Sequence, residues 1–291
     1  MYDRVLFPTD GSEAATAAFE YALEIAATHG ATVHALHVVD LPFDTPSRIR
    51  DDLAETLERE GEEIVEGTAE RASERDLSVV TEVREGVPHE AIVEYASEAD
   101  VDLLVVPTHG RDGIERFLVG SVTERVVNTA PVPVLAVTPD EHEGFTYPCE
   151  DVLVPTDGSA GADRALEEGI ALSNVVDARL HLLHVVEPTS LGPEGDPGGT
   201  DERMDDRANE ILNEASETAE RASVDSVTRS IAHGRPYREI RSYVEDAGID
   251  VIALGVYGET DFSRYALGGV SAKLLRTSPV PLLMVREPDE E

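Results

Sequence analysis

The chain is written twice. V-L-F-P-T-D-G-S at Val5–Ser12 returns as V-L-V-P-T-D-G-S at Val152–Ser159, and H-A-L-H-V-V-D at His34–Asp40 returns as H-L-L-H-V-V-E at His181–Glu187, both 147 positions on. Further along the spacing is 148: Gly86 matches Gly234, Pro88 matches Pro236, Gly110 matches Gly258, Gly120 matches Gly268, and Pro131 and Pro133 match Pro279 and Pro281. A net insertion of one residue is all that separates the copies. A repeat of this length restricts the fold to one that each half builds around its own core.

Within the first half, short apolar runs alternate with helical patterns. Strands are expected at Arg4–Pro8, Thr32–Val39, Ser78–Arg84, Asp102–Pro107 and Val132–Thr138, and helices at Ser12–Thr28, Pro46–Glu74, Pro88–Ser97 and Ser121–Thr129. Pro88 suits a first helical turn, where its fixed φ helps and its missing N–H costs nothing. Strands separated by helices pair in parallel, and continuous apolar runs of this length belong to strands covered on both faces. The expected fold class is α/β, as two tandem doubly wound open sheets with helices on both faces and ligands at the carboxyl ends of the strands.

The 291 residues suit two domains, expected at 1–142 and 143–291. Asp140–Glu150 has linker composition. The halves differ most at Pro188–Asp201, where glycine and proline crowd the link between the second strand and the long helix. A mobile loop is expected there, either a lid over the ligand crevice or a plain surface connector.

Sixty acidic residues against 23 basic ones give a net charge of −37, and a single lysine, Lys273, stands among the basic residues. Such a surface repels nucleic-acid phosphates and anionic membranes, so neither is expected as a partner. Self-repulsion opposes folding in dilute salt and is largely removed near 1 M, where the Debye length is about 3 Å. The acidity reads as adaptation to a salt-rich cytoplasm. No apolar run reaches the roughly 18 residues of a membrane span, and no leader pattern opens the chain, so a soluble cytoplasmic protein is expected. One cysteine, Cys149, rules out an intrachain disulfide and a multi-cysteine metal site.

The chemistry-bearing stretch is T-H-G-R-D-G-I-E-R-F-L-V-G-S-V at Thr108–Val122. Gly110 permits close backbone approach, while Gly120 and Ser121 offer amide donors at a helix start, where the dipole also favours an anion. Ser121 adds a hydroxyl and Arg111 a positive charge. Taken alone, these glycines read equally as turns and caps.

Together with V-L-F-P-T-D-G-S, H-A-L-H-V-V-D and A-P-V-P-V-L-A-V, this stretch resembles the universal stress protein family, in two tandem copies covering nearly the whole chain. Some members bind ATP through a glycine, two residues, a glycine, nine residues, then glycine and serine or threonine. The resemblance implies five-stranded sheets and a dimer joined through the last strands, here formed within one chain as a pseudo-two-fold pair. The expected pairing is antiparallel, between Pro133–Thr138 and Pro281–Arg286. It also implies an adenine nucleotide as ligand, with or without magnesium, an unknown protein partner, and homodimers as a further possibility.

Carried over residue by residue, the nucleotide site of the first half is Asp10, Val38, Pro107, His109, Gly110, Arg111, Gly120, Ser121 and Val122. That of the second is Asp157, Val185, Gly255, Gly258, Gly268, Gly269 and Val270. Each copy departs from the pattern. Pro107 stands at the first glycine position and donates no hydrogen bond. The second half keeps three glycines, but Gly269 replaces the hydroxyl residue and Glu259 replaces Arg111, placing a carboxylate where phosphate would lie. Asp10 and Asp157 are expected near the nucleotide sugar or a metal, or else as helix caps in competition with Ser12 and Ser159. Val38 and Val185 present backbone to adenine in the family, or else belong to the core.

No Walker A motif, G-x-G-x-x-G, G-x-S-x-G or H-E-x-x-H occurs, so no catalytic residue is assigned and slow ATP hydrolysis is the most that is expected. His34 and His37, like His181 and His184, stand three apart on strands, so each pair points to opposite faces and reads as structural. The nucleotide sensor competes with two other readings: an interaction platform without nucleotide, and a binder of another small anion.

Overall fold

The structure, a computed structural model, describes residues 2–41, 47–108, 119–138, 147–187, 197–257 and 269–287, apart from the side chains of 47–49 and 197–202. The chain divides into two compact units, Met1–Tyr147 and Pro148–Glu291. Tyr147 belongs with the first unit, where its hydroxyl lies 2.6 Å from His29 Nε2.

Unit 1 runs β1 (Arg4–Pro8), α1 (Glu13–His29), β2 (Thr32–Val39), α2 (Ser47–Ser73), β3 (Val79–Glu85), α3 (Pro88–Glu98), β4 (Leu103–Pro107), α4 (Ser121–Thr129) and β5 (Val134–Val137). Unit 2 repeats it as β6 (Asp151–Pro155), α5 (Ala160–Val176), β7 (Arg179–Val186), α6 (Pro197–Arg221), β8 (Val227–His233), α7 (Pro236–Ala247), β9 (Val251–Gly255), α8 (Gly269–Thr277) and β10 (Leu282–Val285). Strand order is β3-β2-β1-β4-β5 in unit 1 and β8-β7-β6-β9-β10 in unit 2. All pairs within each unit are parallel.

This is the doubly wound α/β class read from the sequence. Each order reverses between the first and fourth strands of its unit. A crevice opens at that reversal, at the carboxyl ends of the strands.

The burial is what parallel strands require. Leu6, Phe7, Leu36, Leu103 and Leu104 are almost wholly enclosed, and Phe7 meets Phe19 of α1 at a ring-centroid distance of 4.8 Å. The edge strands β3 and β8 differ, with no fully buried residue in either. The strand histidines point to opposite faces, as their spacing predicts. His34 Nδ1 is 2.8 Å from the Tyr95 hydroxyl of α3, while His37 Nδ1 is 2.8 Å from the Thr9 carbonyl, its ring against Gly61 of α2.

The inserted residue also finds its place. The link before the long helix runs 40–46 in unit 1 and 187–196 in unit 2, while the helix shortens from 27 to 25 residues. The expected loop at Pro188–Asp201 therefore ends sooner than composition implied. Pro197 opens α6, because a proline at the first helical position donates nothing that the helix needs. Pro188–Asp196 lies outside the described residues. Among the described residues no helix is long and apolar enough to cross a membrane.

Candidate functional site

The first wall of the crevice is the turn after β1, and it is built identically after β6. Thr9 N–H donates to the Leu36 carbonyl (2.8 Å), Gly11 N–H to Thr9 Oγ1 (3.2 Å), Ser12 N–H to Asp10 Oδ1 (2.9 Å), and Ala15 N–H to Ser12 Oγ (3.1 Å). In unit 2 the same four bonds join Thr156 to Leu183, Gly158 to Thr156, Ser159 to Asp157 and Ala162 to Ser159, at 2.9, 3.2, 3.0 and 3.2 Å. Gly11 and Gly158 sit at φ 73 and 78, the left-handed region that glycine enters without strain. The competition for the cap is thereby resolved. Ser12 and Ser159 cap the helices, and Asp10 and Asp157 hold the turn that feeds them.

The second wall is the end of β2. The Leu36 carbonyl faces β1, where it accepts from Thr9, and the Val39 carbonyl faces β3, where it accepts from Gly86. Peptide groups alternate sides along a strand, so those of Val38 face the β1 side. There they lie beyond Pro8, the last β1 residue in register with β2. Val185 occupies the same place in unit 2, between Leu183 and Val186. Both valines are half-buried at the crevice rather than enclosed in the core.

The third wall of unit 1 joins β4 to α4. Pro107 is half-buried at the strand end, and its carbonyl accepts from Thr123 Oγ1 at 2.7 Å. Thr108 N–H donates to the Val137 carbonyl (2.8 Å), and the Thr108 carbonyl accepts from Gly120 N–H (2.8 Å). The Gly120 amide is thus engaged within the protein and is not one of the donors expected for a ligand. Gly120 is nonetheless an N-cap without a side chain to cap with, so the Ser121, Val122 and Thr123 amides have no acceptor earlier in their own helix. Ser121 is exposed there, with Val122 partly so.

In unit 2 the corresponding hydroxyl is that of Ser271, which donates to the Gly255 carbonyl at 2.8 Å. Here the first glycine of the pattern has a reason inside the fold. A Cβ on Gly255 would lie 2.6 Å from the Gly161 carbonyl oxygen in the first turn of α5, and a Cβ on Gly161 would collide with the Tyr257 carbonyl. The end of β9 and the start of α5 approach backbone to backbone. Unit 1 has Ala14 and Pro107 at the equivalent positions. A Cβ on Gly269, by contrast, would meet open space, and Val270 follows it partly exposed in the first turn of α8.

Electrostatics separate the halves. On α5, Asp163 has its pKa raised, first by burial and then by Glu214, Glu167 and Asp157. The equivalent residue in unit 1 is Thr16, which donates its hydroxyl to the Ser12 carbonyl at 2.9 Å. The first turns of α5 therefore carry crowded negative charge where α1 has a neutral hydroxyl.

His109, Gly110, Arg111, Gly258 and Gly268, with Glu259, lie outside the described residues. Among the described residues no group of histidine, cysteine and carboxylate side chains could hold a metal ion. Cys149 is buried, and its thiol is pushed up to about 12, chiefly by burial and then by Asp250. Such a thiol is no nucleophile at neutral pH.

A family model described as the universal stress protein family matches residues 1–138 and again 149–286. The chain belongs to that family. Each unit is one universal stress protein domain, as curated relatives the length of a single unit also show. Universal stress protein MJ0531 of Methanocaldococcus jannaschii is 40% identical over 146 residues, covering 49% of this chain and 86% of its own length. The universal stress protein of Methanothermobacter thermautotrophicus is 35% identical over 136 residues, covering 45% of this chain and 92% of its own. A crystal structure of a universal stress protein from Archaeoglobus fulgidus superimposes over 97% of this chain and 98% of its own, with a TM-score of 0.70 at 23% identity. That likeness shows the fold alone.

Proposed function

We propose that this tandem universal stress protein binds an adenine nucleotide, ATP foremost, with or without magnesium, in the crevice of unit 1. It acts as a sensor or regulator in a stress response, in a salt-rich cytoplasm, and passes its signal to a protein partner. Ligand occupancy rather than turnover is its output, with slow ATP hydrolysis as the upper bound on chemistry.

The observation that carries this reading is the start of α4. A helix N-terminus with no side-chain cap, an exposed Ser121 hydroxyl and a neighbouring strand end together make an anion-accepting corner. The Val38 peptide groups, on the other side of the crevice, would read a base edge. Unit 2 is the weaker candidate, because Gly269 supplies no hydroxyl, Glu259 replaces Arg111, and the carboxylates around Asp163 add negative charge to the same unit.

One observation favours the competing reading of a platform without nucleotide. The approach of α5 gives Gly255 a packing reason that needs no nucleotide. Protein purified in KCl, denatured and analysed by mass spectrometry discriminates between the two. Released ATP or AMP, with an upward shift in melting temperature on adding ATP, is expected. Neither nucleotide nor shift, with and without magnesium, would leave the platform.

A further inference from the structure

The cations of this acidic chain are not spread evenly. Several arginines are paired with carboxylates, Arg71 and Arg75 with Glu20, Arg84 with Glu82 and Glu98, Arg179 with Asp151, while others stand singly, such as Arg229, which donates to Asn213 Oδ1. At the start of α7 and along α8 of unit 2, unpaired cations are gathered rather than single. Arg235, Arg238, Lys273 and Arg276 are all exposed, and among the described residues none has a carboxylate oxygen within 4.0 Å.

Three of these cations converge on one side chain. Lys273 Nζ stands 4.8 Å from the Tyr237 ring centroid, Arg238 Cζ stands 5.8 Å from it, and Arg238 Nε donates to the Tyr237 hydroxyl at 3.0 Å. That hydrogen bond, with Arg235 also beside the hydroxyl, holds the phenol below its ordinary range. The hydroxyl oxygen accepts from Arg238, which leaves its own proton available to donate. α7 has no side-chain cap at Arg235, and Pro236 follows it, so the positive end of the helix dipole adds to the same field. Of the acidic side chains on α7, Glu239 folds back against Gly234, the residue before Arg235, without coming within 4.0 Å of a cation's nitrogen among the described residues, and Glu245 lies 3.7 Å from Arg241.

The cluster belongs to unit 2 alone. The equivalent positions in unit 1 are Val87, His89, Glu90 and Arg125, and there His89 Nε2 lies 3.9 Å from a Glu90 oxygen. Gathering like charges without counterions is unfavourable unless an anion completes the arrangement. In a chain of net charge −37, carboxylates to neutralise them were abundant.

We propose that Arg235, Tyr237, Arg238 and Lys273 form a binding surface for an oligophosphate chain. The forked guanidinium donors and the ammonium would each take phosphoryl oxygens, with the phenol proton as an additional donor. Both helices start after the carboxyl ends of their strands, so the surface lies at the same end of unit 2 as its crevice. Inorganic oligophosphate and the tail of a nucleotide present the same chemistry to it. Long-range repulsion by the acidic surface is screened in salt, which leaves the contact terms to decide binding.

Lys273 makes the test direct, because it is the only lysine and peptide mapping separates it from the terminal amine. The rate of acylation of its amine by an N-hydroxysuccinimide ester is measured in KCl with sodium tripolyphosphate, ATP or sulfate at matched ionic strength. Tripolyphosphate is expected to slow the reaction several-fold and to bind about tenfold more weakly to the Arg235→Ser/Arg238→Ser variant. Protection by sulfate equal to that by tripolyphosphate would reduce the effect to screening and overturn the proposal. Protection by ATP without protection by tripolyphosphate, or no protection at all, would also overturn it. Nucleotide binding in unit 1 is read separately, by the ATP-dependent melting shift that remains in the double variant and is lost in Gly120→Asp.

Discussion

Gly255 and Gly161 meet backbone to backbone: a Cβ on Gly255 would lie 2.6 Å from the carbonyl oxygen of Gly161. Neither atom of that contact belongs to a flexible side chain, so nothing can rotate away. Gly255→Ala, and likewise Gly161→Ala, is expected to cost about 1–3 kcal/mol, the range for overpacking an ordered interior. Gly67→Ala in α2 is the control, since a Cβ there meets nothing within 4 Å and the helix gains about 0.5–1 kcal/mol. Chemical denaturation of the three variants gives both signs.

The cap position of α4 links stability to ligand. Gly120 has φ −59 and ψ 138, which any residue adopts, and it offers no side chain to the amides of its helix. Gly120→Asp should stabilise the free protein by a few tenths of a kcal/mol, up to about 1, by capping them. The same carboxylate would occupy the anion corner. The melting temperature without ligand is expected to rise while the ATP-induced shift disappears.

His34 supplies a pH dependence with a definite sign. Burial lowers its pKa, and Arg4 lowers it further. The folded state therefore favours the neutral ring, its stabilisation complete above the unfolded value of about 6.5 and lost as pH falls towards the depressed folded value. His29 shifts in the same direction, again chiefly through burial. Thermal melts between pH 7.5 and 5.5 should show stability falling with acidification, and His34→Gln should flatten the slope.

Salt should act on the whole chain. With a net charge of −37, self-repulsion is strong in dilute buffer and nearly screened near 1 M, where the Debye length is about 3 Å. The denaturation midpoint is expected to climb steeply with KCl. A protein as stable in dilute buffer as in concentrated KCl would contradict the salt-rich setting.

The repeat, the strand and helix order and the turn residues were legible in the sequence because each depends on local periodicity or local conformation. Ser12 and Ser159 cap as their position before an apolar helix predicts, and Pro88 and Pro236 open helices as their geometry requires. Thr123 and Ser271 were overlooked as site residues. Their only signal was a hydroxyl at the same place in both copies, and its meaning appears once each is bonded to a strand-end carbonyl. The start of α6 at Pro197 was hidden by composition, because glycine and proline mark loops on average and helix starts only in context.

The site was legible as a pattern of glycines but not as a set of reasons. Sequence alone determined that the chain carries two doubly wound units and where each unit gathers its loops, since hydrophobic period and turn chemistry act over a few residues. Only the tertiary structure decided that Gly255 accommodates α5, that the Gly120 amide is bonded to Thr108, and that Lys273 meets Tyr237. Those relationships join residues far apart in the chain, and their geometry exists only once the packed core has set the distance between elements.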